Sequence, residues 1–144
     1  MDHQPLPARA GERGVTLVEL VIVVLIVTIL AAVALPIFLN QRAKAQDAEA
    51  KAMAVTVAGA LIVWNHDHDT FAGATHSGLA VIESAIGTAD GLTVGVTPET
   101  FRVRMQSASG SNGGGPFTIE YDQSGTVRTC VTPGQGGCPD DGRW

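Results

Sequence analysis

The sequence predicts an α+β protein. A long kinked N-terminal helix, membrane-like in its first half and amphipathic in its second, packs on a four-stranded antiparallel C-terminal sheet. Three observations carry this expectation. An apolar run, Val15–Leu35, contains one charged residue, Glu19. An alanine-rich amphipathic run, Asn40–Trp64, follows almost at once. From Leu92 onward, apolar and polar residues alternate.

Residues 1–14 hold prolines and glycines without apolar periodicity and read as a leader. Residues 15–39 follow, and their apolar part spans roughly 31 Å at about 1.5 Å per residue, enough to cross a bilayer core. Val and Ile dominate the run, but a lone strand in lipid would leave its backbone groups unpaired, so it reads as a helix. Pro36 falls just past the run, where it removes one hydrogen bond and crowds the preceding turn, hence the expected kink. Residues 40–66 form the amphipathic half, in which Ala50, Met53, Val57, Leu61 and Trp64 recur at spacings of three and four. His66-Asp67-His68-Asp69 ends the helix. In the connection 67–91, Leu79, Val81, Ile82 and Ile86 suggest one short helix closed by Gly87 and Gly91.

The remainder, 92–144, reads as a meander. Leu92, Val94 and Val96 face one way, then Phe101, Val103 and Met105. Phe117, Ile119 and Tyr121 follow a Gly/Ser loop over 107–116, and Val127, Thr129 and Val131 complete the apolar face. The stripe from Met53 to Trp64 is the expected cover for it.

Composition narrows function. Apolar residues make up 45% of the chain and aromatics only 5%; outside the N-terminal run, large core residues are few, which argues against a large enzyme with a deep pocket. Lys and Arg number 9 against 14 Asp and Glu, a net charge of −5, so there is no strong nucleic-acid signal. His66 and His68 stand two apart and do not share a helix face. Asp140-Asp141-Gly142 lacks EF-hand spacing. No metal site and no cofactor are expected from either. Gly113-Gly114-Gly115 lacks the Lys-Ser/Thr of a phosphate loop and reads as a flexible hairpin. No Ser/His/Asp arrangement has local support, so the chain is not read as an enzyme. Ala32-Val33-Ala34 resembles a signal-peptidase site, but the apolar run is longer than a signal peptide's and carries a carboxylate.

That carboxylate is informative. Well inside a bilayer it costs about 2.5–3.5 kcal/mol, less near the interface. Residues 14–41 contain no Lys, Arg or His to pair it. An N-terminal amine on Val15, created by a cut after Gly14, would supply the counter-charge.

Gly14-Val15-Thr16-Leu17-Val18-Glu19-Leu20 resembles the processing motif of type IV pilins and pseudopilins. The likeness runs through the apolar block to Pro36 and Ile37-Phe38-Leu39-Asn40-Gln41-Arg42, where it is closer to major pilin subunits. It is specific over residues 11–50 and architectural beyond. The resemblance implies cleavage after Gly14 by prepilin peptidase and N-methylation of Val15. It also implies pairing of Glu19 with the Val15 amine of a neighbouring subunit, and a filament core built from Val15–Leu35 with Pro36 as its point of kinking or unwinding. The implied partners are identical subunits in a helical filament, the assembly platform and its ATPase, and membrane lipid before assembly. The implied location is the cytoplasmic membrane, single-pass, with the C-terminal domain outside and the assembled filament on the cell surface. The alternative within the family is a pseudopilin or minor pilin of a type II secretion or DNA-uptake machine. Cys130 and Cys138 are an even pair on such an exported chain and are expected to form a disulfide that closes a glycine-rich loop, contributing about 2.5 kcal/mol.

Overall fold

The computed structural model describes residues 14–144. The leader residues 1–13 lie outside the described residues. The elements are α1 (Leu17–His68), α2 (His76–Ile82), a 3₁₀ turn (Ser84–Thr88), β1 (Leu92–Val96), β2 (Phe101–Met105), a 3₁₀ turn (Gly110–Asn112), β3 (Phe117–Asp122) and β4 (Gly125–Cys130). The protein is therefore α+β, a long N-terminal helix with a four-stranded antiparallel sheet in the order β1-β2-β3-β4. Contacts divide it into two compact units that meet between Leu35 and Pro36.

In the first unit α1 starts with a cap. Thr16 Oγ1 accepts the Glu19 N–H at 3.2 Å, and Thr16 O accepts the Leu20 N–H at 3.1 Å. This satisfies donors that a helix start leaves free. Thr28 turns its hydroxyl back onto Val24 O at 2.7 Å, which hides a polar group in an apolar stretch. Every residue from Val15 to Leu35 is exposed. Pro36, the first residue of the second unit, lies inside α1.

The second unit holds the whole buried core. Its half of α1 buries Ala43, Asp47, Ala50, Ala54, Val57, Ala60 and Leu61, mostly one helical face at spacings of three and four. Ala50, Val57 and Leu61 belong to the stripe read from sequence, while Met53 and Trp64 at its margin are only partly buried. The alanines keep side-chain volume low along this face, and the sheet supplies the bulk through Phe101, Val103, Met105, Phe117 and Ile119. α1 ends at Asp69, which takes the left-handed conformation (φ 56°) and donates its N–H to Asn65 O at 2.8 Å.

The connection that follows contains two pieces rather than one helix. Thr75 caps α2 by accepting the Gly78 N–H at 3.1 Å, and Glu83 starts the 3₁₀ turn. Leu79 and Ile86 are fully buried, while Val81 is 87% exposed and contributes nothing to the core. Phe71, Phe101 and Tyr121 form an aromatic cluster with centroids 5.1–5.6 Å apart.

One strand departs from the sequence reading. Alternation put Val127, Thr129 and Val131 on the core face. The register Phe117↔Cys130, Ile119↔Arg128 and Tyr121↔Thr126 puts Cys130, Arg128 and Thr126 on the face shared with Phe117, where Cys130 is buried while Arg128 and Thr126 stay exposed, and Val127 and Val131 are exposed on the other face. The physical reason is the C-terminal Trp144. It packs edge-on against Phe117 at 5.7 Å, sits 5.4 Å from the Arg128 guanidinium and donates its indole N–H to Thr129 O at 2.9 Å. Trp144 supplies the apolar cover that this edge strand lacks.

Candidate processing and assembly site

Gly14, Val15 and Thr16 precede α1 and are exposed, and of the three Thr16 is the one tied to the helix, through its carbonyl and hydroxyl oxygens. A bond before Val15 is open to a peptidase there. Among the described residues nothing crowds the Gly14 position. Glu19 sits in the first turn of α1, nearer the helix end than the sequence reading of a helix from Val15 implied. There the helix macrodipole favours its negative charge. It is four residues from Val15, whose amine cleavage would create, and of that stretch Leu17–Glu19 is helical.

From this turn to Leu35 the helix presents Val, Leu and Ile on every side, and none of its most apolar 18-residue window is buried. It is long and apolar enough to cross a membrane. A helix apolar all round needs lipid or other protein about it.

A second site joins three segments of the other unit, and sequence reasoning missed it. Asp47 stands in the buried row of α1, four residues after Ala43 and three before Ala50, and is fully buried. Its Oδ1 accepts the Ser109 hydroxyl at 2.6 Å, and its Oδ2 accepts the Gly114 N–H at 2.7 Å and the Gly137 N–H at 2.8 Å. Burial pushes this carboxyl up. The bonds from Gly137, Ser107, Ser109 and Gly114 outweigh it and hold the group below the usual carboxylate range. Lys51, one turn on, bonds Gly137 O and lies 5.1 Å from the Phe117 ring. The glycines make room for the carboxylate. A Cβ on Gly136, at φ +52°, would stand 2.2 Å from Asp47 Oδ2, and one on Gly113 2.6 Å from Oδ1. The signal in the sequence was a carboxylate in register with the apolar stripe, in a chain with two glycine-rich loops, 107–116 and 131–138.

Cys130 and Cys138 lie beside this junction. Their Cα atoms are 5.8 Å apart, their sulfurs are at disulfide distance, and both residues are buried. The structure therefore places Gly14, Val15 and Glu19 at one end of α1, Pro36 inside it, and the cysteines with Asp47 in the second unit. It brings His68 onto Trp64, ring stacked on ring at 4.1 Å. Among the described residues no three His, Cys, Asp or Glu side chains are grouped to hold a metal ion.

Residues 9–35 match the family model described as the prokaryotic N-terminal methylation motif. The chain thus carries the type IV pilin and prepilin signature, which is that of a structural protein processed by prepilin peptidase and assembled into pilus-like filaments. The motif and the apolar helix together fit membrane anchoring. No curated protein and no solved structure matches the chain.

Proposed function

We propose that this protein is the structural subunit of a type IV pilus-like filament. Prepilin peptidase cuts after Gly14, and Val15 becomes the N-methylated terminus. Before assembly the chain sits in the cytoplasmic membrane with its C-terminal domain outside. On assembly, the Val15–Leu35 segments of neighbouring subunits exchange lipid for one another. Glu19 then meets the Val15 ammonium of a neighbour, and Pro36 gives the helix a place to bend or unwind. Cys130 and Cys138 form their disulfide on the outer side.

One observation carries this reading. An exposed, non-helical Gly14-Val15 step leads directly into a fully exposed apolar helix, within a matched methylation motif. Intact mass of protein from sheared filaments tests it. The chain is expected to begin at Val15, with or without one methyl group. A mature chain beginning at Met1, or after Ala34, overturns the proposal.

A further inference from the structure

The segments 107–116 and 131–138 are made almost wholly of Gly, Ser, Pro, Thr, Asn and Gln. They bury few apolar side chains of their own, and glycine-rich backbone is entropically costly to fix. Polar contacts hold them in place, and these converge on α1. Gly114 O accepts the N–H groups of Val131 and Thr132, both at 3.2 Å, so the two loops are tied together. Gly114 N–H and Gly137 N–H then share one oxygen of Asp47. Gly137 is next in sequence to Cys138, so the link to Cys130 anchors the chain beside its N–H, together with the turn bonds between Cys138 and Gln135 and Gly134.

We propose that the Cys130–Cys138 pair and Asp47 act as one redox-set latch: disulfide closure presents the Gly137 N–H to the Asp47 carboxylate, and reduction releases both loops from α1. Closure forms one S–S bond. The two thiols give up two protons and two electrons to a disulfide oxidant, which leaves as two thiols. The latch deepens the filament-subunit reading and rests on it for its meaning, because the head then locks onto its helix only after meeting an oxidising exterior.

The chemistry of the junction gives the latch a pH signature. With it closed, Asp47 is ionised below the usual carboxylate range. Its stabilisation is therefore present above the unfolded value, about 3.9, and is lost as pH falls through the lower folded value. Reduction removes one of the donors that offset burial, so the loss moves to higher pH. Of the charged groups around the junction, Lys51 on α1 bonds Gly137 O, Arg42 on α1 lines a hollow together with Ser109, and Asp140 stands at the tail end of the loop beside Gly134. The two loops themselves contribute no titrating side chain other than Cys138.

Amide exchange on the full chain in detergent micelles, oxidised and then reduced with dithiothreitol, tests the latch. On reduction, exchange at Gly114 and Gly137 is expected to rise at least about ten-fold, while Val103 and Ile119 in the central strands stay protected. The acid limb of the melting-temperature profile is expected to move to higher pH. In Asp47→Asn the same two amides exchange fast with the disulfide intact, and reduction lowers the melting temperature by fewer degrees than in the unsubstituted chain. Unchanged protection of Gly114 on reduction overturns the latch, as does an equal loss of degrees in both proteins. If Asp47→Asn does not fold, the oxidised and reduced unsubstituted chain decides alone. Exchange is read on unassembled subunits, so a failure of filament formation leaves this result standing.

Discussion

Asp47 and Glu19 are both carboxylates among apolar neighbours on α1, and their surroundings differ. Asp47 is enclosed by its own chain, with two backbone N–H groups and a serine hydroxyl aimed at it. Glu19 is exposed and its backbone N–H is taken by Thr16. Thr16-Leu17-Val18-Glu19 has the spacing of a capping box, in which a glutamine serves as well as a glutamate. The filament reading asks for the charge itself. Glu19→Gln separates the two roles, since it retains the cap and loses the charge. It is expected to fold and insert into the membrane normally and to fail in assembly, because an ammonium left buried without its counter-charge costs about 3–5 kcal/mol. Membrane fractionation and the yield of sheared filaments read the two steps apart, and wild-type filament yield from Glu19→Gln would remove the carboxylate from the assembly mechanism.

At the scale of elements, the helices and strands follow rules that a single chain displays openly. The alternation at Phe101–Met105 and Phe117–Tyr121 states its own core face, and the structure buries Phe101, Val103, Met105, Phe117 and Ile119 on it; the apolar run states a helix, and the structure leaves it exposed on every side. β4 does not state its core face, because its positions there hold Arg128 and Thr126 and their cover comes from Trp144, far along the tail. Asp47 was illegible for a related reason. A buried carboxylate needs donors, and its donors are backbone groups of loops whose sequence says only that they are flexible. The glycines of those loops are where the requirement can be measured. Gly136→Ala combines a left-handed φ of +52° with a Cβ 2.2 Å from Asp47 Oδ2 and 2.8 Å from Gly113 Cα, so neither side can yield cheaply. It is expected to cost about 2 kcal/mol or more, whereas Gly95→Ala, on the exposed face of β1 with open space around it, is expected to change stability by about 0.5 kcal/mol or less. Thermal melting of the two oxidised variants compares them, and equal melting temperatures would mean that the junction is loose.

At the scale of the whole molecule, the two units present different surfaces. Up to Leu35 the described chain buries nothing and exposes Val, Leu and Ile on all sides. From Pro36 onward lie the whole apolar core, from Ala43 and Ala50 to Cys138, the junction at Asp47 and all four strands. Among the described residues no core residue comes from the first unit, so the second has what an independent fold requires: a sheet with a covered face, capped connecting helices and a cross-linked tail. The described part of the first unit is apolar on every side and calls for lipid or other protein about it. A fragment spanning 36–144, made in an oxidising compartment, is therefore expected to be soluble and to melt cooperatively. Its near-ultraviolet signal should come from Trp64 and Trp144, which pack on His68 and Phe117. The full chain is expected to partition into membranes or micelles. The first turns of α1 after Pro36 lose their helical predecessor in this fragment and fray, which costs little because burial on the helix begins at Ala43. Circular dichroism and gel filtration of the fragment decide the matter. A fragment that aggregates or melts without a cooperative transition would show that the N-terminal helix is needed to fold the head as well as to anchor it.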